Sequence, residues 1–320
     1  MAAGAPFIPI AALAQRQGRI YRIGFLGSVS PTADIRRDTT DHLWQGLREL
    51  GWDRDRNIVV EERWANGKVE RLPQLAEELV GAKPDIIVAG LLDSALAAKQ
   101  ATSTIPIVTV VVFDPVRHGL IASYSRPGGN VTGLSYEGGS IGDKLLDLLC
   151  QAVPGLKRIA VLWNPDTPSQ RLWLKDMEPA ARQLKLDLQP VAVRSAQDFE
   201  AAFASMRAGA PGALLVFADA MMFAHRERIA ELATRYRLPS ISVLHEFPER
   251  GGLIGYVSDI PGNYRRAAIY VDRILRGAKP ADLAVEQPTR FTLTLNLRTA
   301  RAIGLTLPQA LLVRADRVIE

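Results

Sequence analysis

Short continuous apolar runs alternate along this chain with longer segments whose apolar residues recur every three or four positions. The runs at 86–89 and 107–113 predict strands that are buried on both faces of a parallel sheet. Leu43, Leu47 and Leu50 share one face of a predicted helix, with Gly51 placed to end it. The alternation predicts open, mostly parallel sheets whose crossover connections are right-handed.

The middle of the chain repeats its beginning. Three blocks recur in the same order, namely 22–28 at 158–164, 83–88 at 210–216, and 105–110 at 238–243. Such a spacing is far longer than the unit of a solenoid. It therefore predicts two similar α/β lobes, and a cleft between lobes is a preferred place for a small ligand.

Turn-rich stretches mark where the chain passes between the predicted lobes. The first is 126–133, which contains Pro127, Gly128 and Gly129, and the second begins at 249–252. We predict two Rossmann-like lobes with mostly parallel sheets, joined by a hinge of about three crossings that suits closure. The predicted first lobe is 20–133 plus 253–282, and the predicted second lobe is 134–252 plus 283–320.

The first residues predict export. Residues 1–19 begin with a small, apolar stretch that ends in Ala12-Leu13-Ala14, the small-x-small pattern of a signal-peptidase site. A basic n-region is missing, so we interpret the segment as the remnant of a secretory signal, with a disordered N-terminus as the alternative. No other segment is long and apolar enough to predict a membrane span.

Composition narrows the function classes further. Hydrophobic residues make up 48% of the 320 positions, and the net charge of +5 is spread along the chain without a basic block. Nucleic-acid binding is therefore unsupported. Cys150 is the single cysteine, which excludes an intramolecular disulfide and a cysteine-based metal site.

Loops beyond the carboxyl ends of the strands carry the candidate ligand contacts, because ligands of open α/β sheets bind there. The predicted substrate-binding residues are Ser28, Val29, Asp93, Ser94, Asp114, Tyr136, Asn164, Thr167, Ser169, Asp219, Met221, Glu246 and Tyr256.

These side chains match the two ends of a zwitterionic or polar organic solute. Ser28 and Ser94 lie near predicted helix starts, where free backbone N–H groups favour an anion. Asp93, Asp219 or Glu246 could pair with an ammonium group. Ordinary helix capping is the alternative for each Ser and Asp.

Motifs for bond chemistry are missing from the sequence. There is no G-x-G-x-x-G and no Walker sequence, and no pair among the four histidines has metal-ligand spacing. We therefore predict no cofactor, no metal, no catalytic residues and no enzymatic activity.

Several longer blocks resemble a known family. The chain is similar to substrate-binding proteins of ABC transporters with the type I periplasmic-binding fold, specifically the tryptophan/tyrosine-type family. The resemblance covers about 20–320 and is carried by 21–27, 114–116, 126–135, 225–229 and 274–283, above all by the Arg-Pro-Gly-Gly-Asn-Val-Thr-Gly and Leu-Arg-Gly-Ala-Lys-Pro-Ala-Asp-Leu sequences.

The resemblance implies a periplasmic receptor that closes on a solute and docks on an inner-membrane permease. We expect a monomer that takes an amino acid or an aromatic amino-acid-like solute and binds no nucleic acid. The loop 90–94, the Asp219-Ala220-Met221 sequence and the missing glycine before Asp114 depart from the family pattern at the predicted cleft. The alternatives are an effector-sensing domain of a regulator, which would need a DNA-binding segment, and an α/β cleft enzyme.

Overall fold

The computed structural model describes residues 19–54, 56–136, 139–288 and 291–320. The predicted signal remnant lies outside these residues apart from Arg19. None of the described helices has the length and apolar character needed to cross a membrane.

Strands and helices alternate along the described residues. The strands are β1 (Tyr21–Gly27), β2 (Ile58–Trp64), β3 (Ile86–Leu91), β4 (Ile107–Val111), β5 (Val131–Gly133), β6 (Arg158–Trp163), β7 (Asp187–Ala192), β8 (Ala213–Val216), β9 (Ser240–Ser242), β10 (Ile254–Ser258), β11 (Phe291–Asn296) and β12 (Arg317–Ile319). The α-helices are α1 (Ala33–Asp38), α2 (Thr40–Glu49), α3 (Leu72–Gly81), α4 (Leu92–Ala101), α5 (Gly139–Ala152), α6 (Pro168–Gln183), α7 (Asp198–Gly209), α8 (Ala220–Ala224), α9 (Arg226–Arg235), α10 (Ile260–Leu275), α11 (Leu297–Ile303) and α12 (Gln309–Arg314). Single 3-10 turns occupy Val69–Arg71 and Pro280–Asp282.

Two sheets organise these elements, and each forms one lobe. The first has the order β2-β1-β3-β4-β5 with every pair parallel, and the second has the order β12-β11-β10-β9-β8-β6-β7 with only β10 and β11 antiparallel. The predicted two-lobe α/β fold with mostly parallel sheets is confirmed. The strand order reverses between β1 and β3 and again between β6 and β8, and such reversals form crevices at the carboxyl ends of strands.

The repeat in the sequence explains the likeness of the two sheets. Two pairs of residues occupy matching positions in the two sheets. Ile23 of β1 corresponds to Ile159 of β6, and Val88 of β3 corresponds to Leu215 of β8. None of the four has exposed surface. Continuous apolar runs suit these strands because helices cover both faces of each sheet.

The order of the described elements takes the chain from one lobe to the other three times. The first passage follows Tyr136. Up to that point the chain still pairs with the first lobe, since the Leu134 N–H donates to the Thr109 carbonyl and Tyr136 bridges Phe113, whereas α5 belongs to the second lobe. The second passage follows Ser258 at the end of β10, and the third lies between Glu286, which bridges Leu134, and β11.

Strand β10 lies in a different lobe from the one that the sequence predicts. We placed 253–282 with the first lobe, but β10 pairs with β9 and β11 in the second sheet. Only the following helix α10 packs on the first lobe, against α2 and β4. The local sequence of 253–258 carries no information about which strands it pairs with. The remaining lobe boundaries stay a prediction.

Candidate ligand-binding cleft

The cleft lies where the two strand-order reversals face each other. Its residues follow β1 and β3 in the first lobe, and β6 and β8 in the second. The cavity volume is about 140 Å³. An apolar protein cavity of about 150 Å³ holds a benzene molecule, so the space accommodates one aromatic ring.

Aromatic side chains form part of the first-lobe wall. The Phe25 and Trp64 ring centroids lie 4.8 Å apart, and those of Phe113 and Tyr136 lie 4.6 Å apart. Gly27 makes room for this wall, because a Cβ there would overlap the Trp64 ring. Such faces suit a flat, apolar ligand body.

Tyr136 and Tyr264 lie deep in the same wall. Tyr136 is 2% exposed, and its hydroxyl accepts a hydrogen bond of 3.2 Å from the backbone N–H of Ser258, which ties two passages between the lobes. Tyr264 reaches in from α10, and a Cβ at Gly90 would lie 2.7 Å from its hydroxyl oxygen. Burial raises the pKa of both phenols, so they remain neutral.

Asp219 is the best-supported carboxylate of the cleft. It caps α8 by accepting a hydrogen bond of 2.7 Å from the Met222 N–H, and its other oxygen accepts from Asn164 Nδ2 at 3.0 Å and Thr167 Oγ1 at 3.2 Å. Burial raises its pKa, and these donors oppose that rise. Gln170 braces the neighbouring loops through the Asn164 N–H and the Ala218 carbonyl.

Asp93 presents the opposite case in the first turn of α4. Its side chain is half-buried in the cleft, and no hydrogen bond or ion pair engages it among the described residues. Burial, followed by the charge of Asp219, raises its pKa to about 6. The carboxylates of Asp93 and Asp219, which lie on opposite lobes, therefore repel each other across the cleft.

Ser28 adds an unused hydroxyl. The residue is 1% exposed and lines the cleft directly after β1. Its Oγ has no hydrogen-bond partner among the described residues. Since an unsatisfied buried polar group is costly, this oxygen is available to a ligand.

Charged residues of both lobes meet at the rim. Arg250 lies 3.4 Å from Asp34 and 3.0 Å from Glu246, and His245 Nδ1 lies 3.8 Å from Asp38. On another side of the cleft, Arg117 of the first lobe pairs with Asp176 of α6. These contacts hold the lobes together around the cavity.

The rim does not fit a metal ion. Asp38, His245 and Glu246 bring potential ligand atoms within 4.8 Å of one another. Arg226 and Arg250, however, already donate to the same Glu246 oxygen at 3.2 and 3.0 Å. Burial opposes the charge of Glu246, but these hydrogen bonds hold its pKa below the usual range, so the group fits an ion-pair network.

The structure brings part of the predicted site together. The predicted residues that line the cleft are Ser28, Val29, Asp93, Tyr136, Thr167 and Asp219. The other seven do not line it: Ser94, Asp114, Asn164, Ser169, Met221, Glu246 and Tyr256.

Most of these seven have another local role. Ser94 Oγ bonds both backbone groups of Leu91 at the start of α4, as the capping alternative predicts. Asn164 supports Asp219, and Asp114 engages the Arg117 N–H at 3.2 Å. Tyr256 stacks on Phe291 at 5.2 Å in the second sheet.

Several cleft residues escaped the sequence prediction. The aromatic and apolar ones are Phe25, Ile35, Trp64, Phe113, Phe223 and Tyr264. The position of Trp64 could have been predicted from the sequence, because it is the last residue of β2 and lies opposite Gly27 at the end of β1. Tyr264 had none, since α10 is an amphipathic helix whose place over the cleft depends on the second passage between lobes.

Comparison with known proteins agrees with this architecture. The model of the "ABC transporter substrate binding protein" family matches residues 31–319. A protein named tyrosine-binding protein, from Clostridioides difficile, is 25% identical over 261 residues, which cover 82% of this chain and 75% of that protein.

Solved structures share the fold. A conserved domain protein from Vibrio cholerae is 26% identical with a TM-score of 0.88, covering 94% of this chain and 100% of that one. An ABC domain from Streptococcus pneumoniae in complex with L-Trp is 23% identical with a TM-score of 0.85 over the same shares. The fold is thus that of type I periplasmic binding proteins. The chain belongs to the family of ABC transporter substrate-binding proteins.

Proposed function

We propose that this protein is the periplasmic solute-binding component of an ABC importer, and that it captures an aromatic amino-acid-like solute in the cleft by hinge closure. The observation that carries the proposal is the combination of aromatic side chains with the carboxylates of Asp93 and Asp219, which lie on opposite lobes. In this account the closed, loaded form docks on a permease of the inner membrane, and no bond is made or broken.

The aromatic body of the solute is supported by the lining. Phe25, Trp64 and Phe113 offer ring faces and edges in a space of about 140 Å³. The relative from Clostridioides difficile is named for tyrosine, which agrees with a ring of this size.

An ammonium group on the solute is supported by Asp219. Three donors hold this carboxylate in place at the end of β8. A preorganised carboxylate in a partly desolvated cleft binds a cation without first paying for its own ordering.

Hinge closure is supported by the rim. A ligand shifts the lobes toward a closed state only by making better contacts there. Arg117 with Asp176, and Arg250 with Asp34, join residues of different lobes and would separate on opening. Their exposure makes each pair weak, so the ligand decides the balance.

Ligand screening and solution scattering test the proposal together. A ligand at a hundredfold excess over its Kd adds about 2.7 kcal/mol of stability, which raises Tm by about 5 °C for a chain of this size. We expect aromatic amino acids or amines to produce such a rise, and the radius of gyration to fall when they bind. Aliphatic amino acids and sugars serve as controls.

Three results would contradict the proposal. The first is no thermal shift with any aromatic compound that carries an ammonium group. The second is binding without any change in the radius of gyration. The third is recovery of the bound compound in chemically altered form, which would favour the cleft-enzyme alternative.

Cell fractionation tests the compartment separately. We expect the protein in the periplasmic fraction of cells that express the full chain with its signal. Exclusive recovery with the cytoplasm would favour the effector-domain alternative.

A further inference from the structure

We propose that the preferred ligand is an aromatic amine, a cation without a carboxylate, and that Asp93 is the residue that sets this preference over amino acids. The inference rests on the proposed function and narrows its ligand class. It is carried by the unequal surroundings of the two carboxylates that face the cleft from opposite lobes.

The charges that line the cleft are one-sided. Its carboxylates are Asp38, Asp93 and Asp219, and neither lysine nor arginine is among the described residues that line it. Asp38 is taken up by Arg37 at 3.3 Å and by His245 at 3.8 Å. Asp219 has its three donors, whereas Asp93 has no hydrogen-bond or ion-pair partner in the described part of the chain.

A zwitterion would therefore leave its carboxylate without a lysine or arginine partner among the described residues that line the cleft. Its ammonium group could neutralise one carboxylate, but its own carboxylate would then join two others in a partly desolvated cavity without a cation. Burying an unpaired charge costs far more than burying a paired one. A monocation, in contrast, lowers the charge of the cleft and adds none.

The first lobe offers the remaining partner for an ammonium group. Ser28 follows β1 and Asp93 follows β3, and these strands are paired neighbours in the sheet, with Leu26 opposite Ala89. The unpartnered Ser28 Oγ can accept one N–H of the ammonium group. Asp93 can accept a second, and Asp219 a third when the lobes are closed.

Acidity gives a distinctive signature. The pKa of Asp93 is raised to about 6, so this carboxyl group gains a proton as the pH falls from 7.5 to 5. Affinity for an amine should fall over that range, because the cation loses one charged partner. Affinity for an amino acid should rise, because the protonated carboxyl can donate to the ligand carboxylate.

Other titratable groups line the same cleft and must be separated from Asp93. They are Asp38, Asp219, His245, Tyr136 and Tyr264. Asp219 is the charged group that acts on Asp93 from the opposite lobe. The Asp93→Asn variant isolates the contribution of Asp93, since it leaves the other five in place.

Calorimetry with three ligands that share one ring tests the proposal. Tryptamine, L-tryptophan and indole-3-propionate carry an ammonium group, both charges, or a carboxylate alone. At pH 7.5 we expect tryptamine to bind at least about tenfold more tightly than L-tryptophan, and the propionate to give no measurable heat. Asp93→Asn should reduce this preference to less than about threefold. It should also abolish the opposite pH dependences of the amine and amino-acid affinities.

The matched control is Asp143→Asn. Asp143 is an exposed carboxylate on α5 that does not line the cleft, so its loss changes the net charge equally. We expect it to leave all three affinities and their pH profiles unchanged. An equal effect of both variants would assign the preference to long-range charge and overturn the role of Asp93.

The outcomes separate this inference from the proposed function. L-tryptophan binding as tightly as tryptamine at pH 7.5, or an unchanged ratio in Asp93→Asn, overturns the amine preference and leaves the aromatic solute-binding function standing. Failure of every aromatic ammonium compound, including the tyrosine and phenylalanine counterparts, overturns both.

Discussion

Asp219 and Asp93 occupy corresponding places in the two lobes, each beyond the carboxyl end of a central strand, yet their surroundings differ. Asp219 accepts hydrogen bonds from Met222, Asn164 and Thr167, while Asp93 accepts none among the described residues. One carboxylate is therefore organised before a ligand arrives, and the other becomes satisfied only by a ligand. A duplicated fold can thus divide anchoring and selection between its halves.

The largest effect should come from Asp219→Asn. Asparagine caps a helix about as well as aspartate, so α8 should keep its cap and the fold its stability. Loss of the charge should weaken an aromatic ammonium ligand by about a hundredfold, as for a buried charge pair. Calorimetry measures this. Asp198→Asn, at another carboxylate that accepts backbone N–H groups at a helix start but lies outside the cleft, is the control and should bind normally.

Asp93→Asn should also change the unfolding free energy of the protein without ligand, because Asp93, unlike Asp219, is half-buried without hydrogen-bond donors among the described residues. The folded-state pKa of about 6 lies above the ordinary 3.8, so the ionised group destabilises the folded protein fully above pH 6 and not at all below pH 4. The variant should gain on the order of 1–3 kcal/mol in unfolding free energy at pH 8, and nothing at pH 4. Urea denaturation without ligand measures both. An equal gain at the two pH values would disprove this assignment.

Gly27→Ala tests the wall next to Asp93. Its Cβ would collide with the Trp64 ring, which lines the cleft and would have to shift. We expect about a tenfold loss of affinity, equivalent to about 1.4 kcal/mol. Gly81→Ala is matched, since a Cβ at Gly81 meets nothing within 4 Å. Unchanged affinity in Gly27→Ala would place the ligand elsewhere.

Arg117→Gln should have the smallest effect, because its pair with Asp176 is partly exposed. If closure brings Asp93 and Asp219 together around the ligand, this variant should release ligand about two- to fivefold faster. Stopped-flow fluorescence measures release. Arg182→Gln removes an ion pair with Glu178 inside α6 and should change nothing. Equally fast release in both variants would show that the Arg117–Asp176 ion pair does not specifically hold the lobes closed.

The sequence predicts the fold more completely than it predicts the site. Apolar runs such as those of β3 and β8, and their repetition, suffice for two parallel sheets with a cleft between them. Which strands pair with one another is harder to predict from the sequence. The local sequence of β10 does not say which sheet it joins, and its assignment to the first lobe was wrong.

Residues at strand ends were predictable because the chain order determines which loops meet. Ser28, Asp93 and Asp219 follow this rule and line the cleft. Ser94 satisfies the same rule but uses its hydroxyl within its own helix turn. Tyr264 could not be predicted, because it arrives from a helix that crosses between lobes.

A crystal structure with tryptamine would test the central claim most directly. The account predicts the indole ring in the cleft against Trp64 and Phe113, with the ammonium nitrogen about 2.8 Å from a carboxylate oxygen of Asp219 and within reach of Asp93. A ring bound outside the cleft, or an ammonium group turned away from both carboxylates, would contradict it.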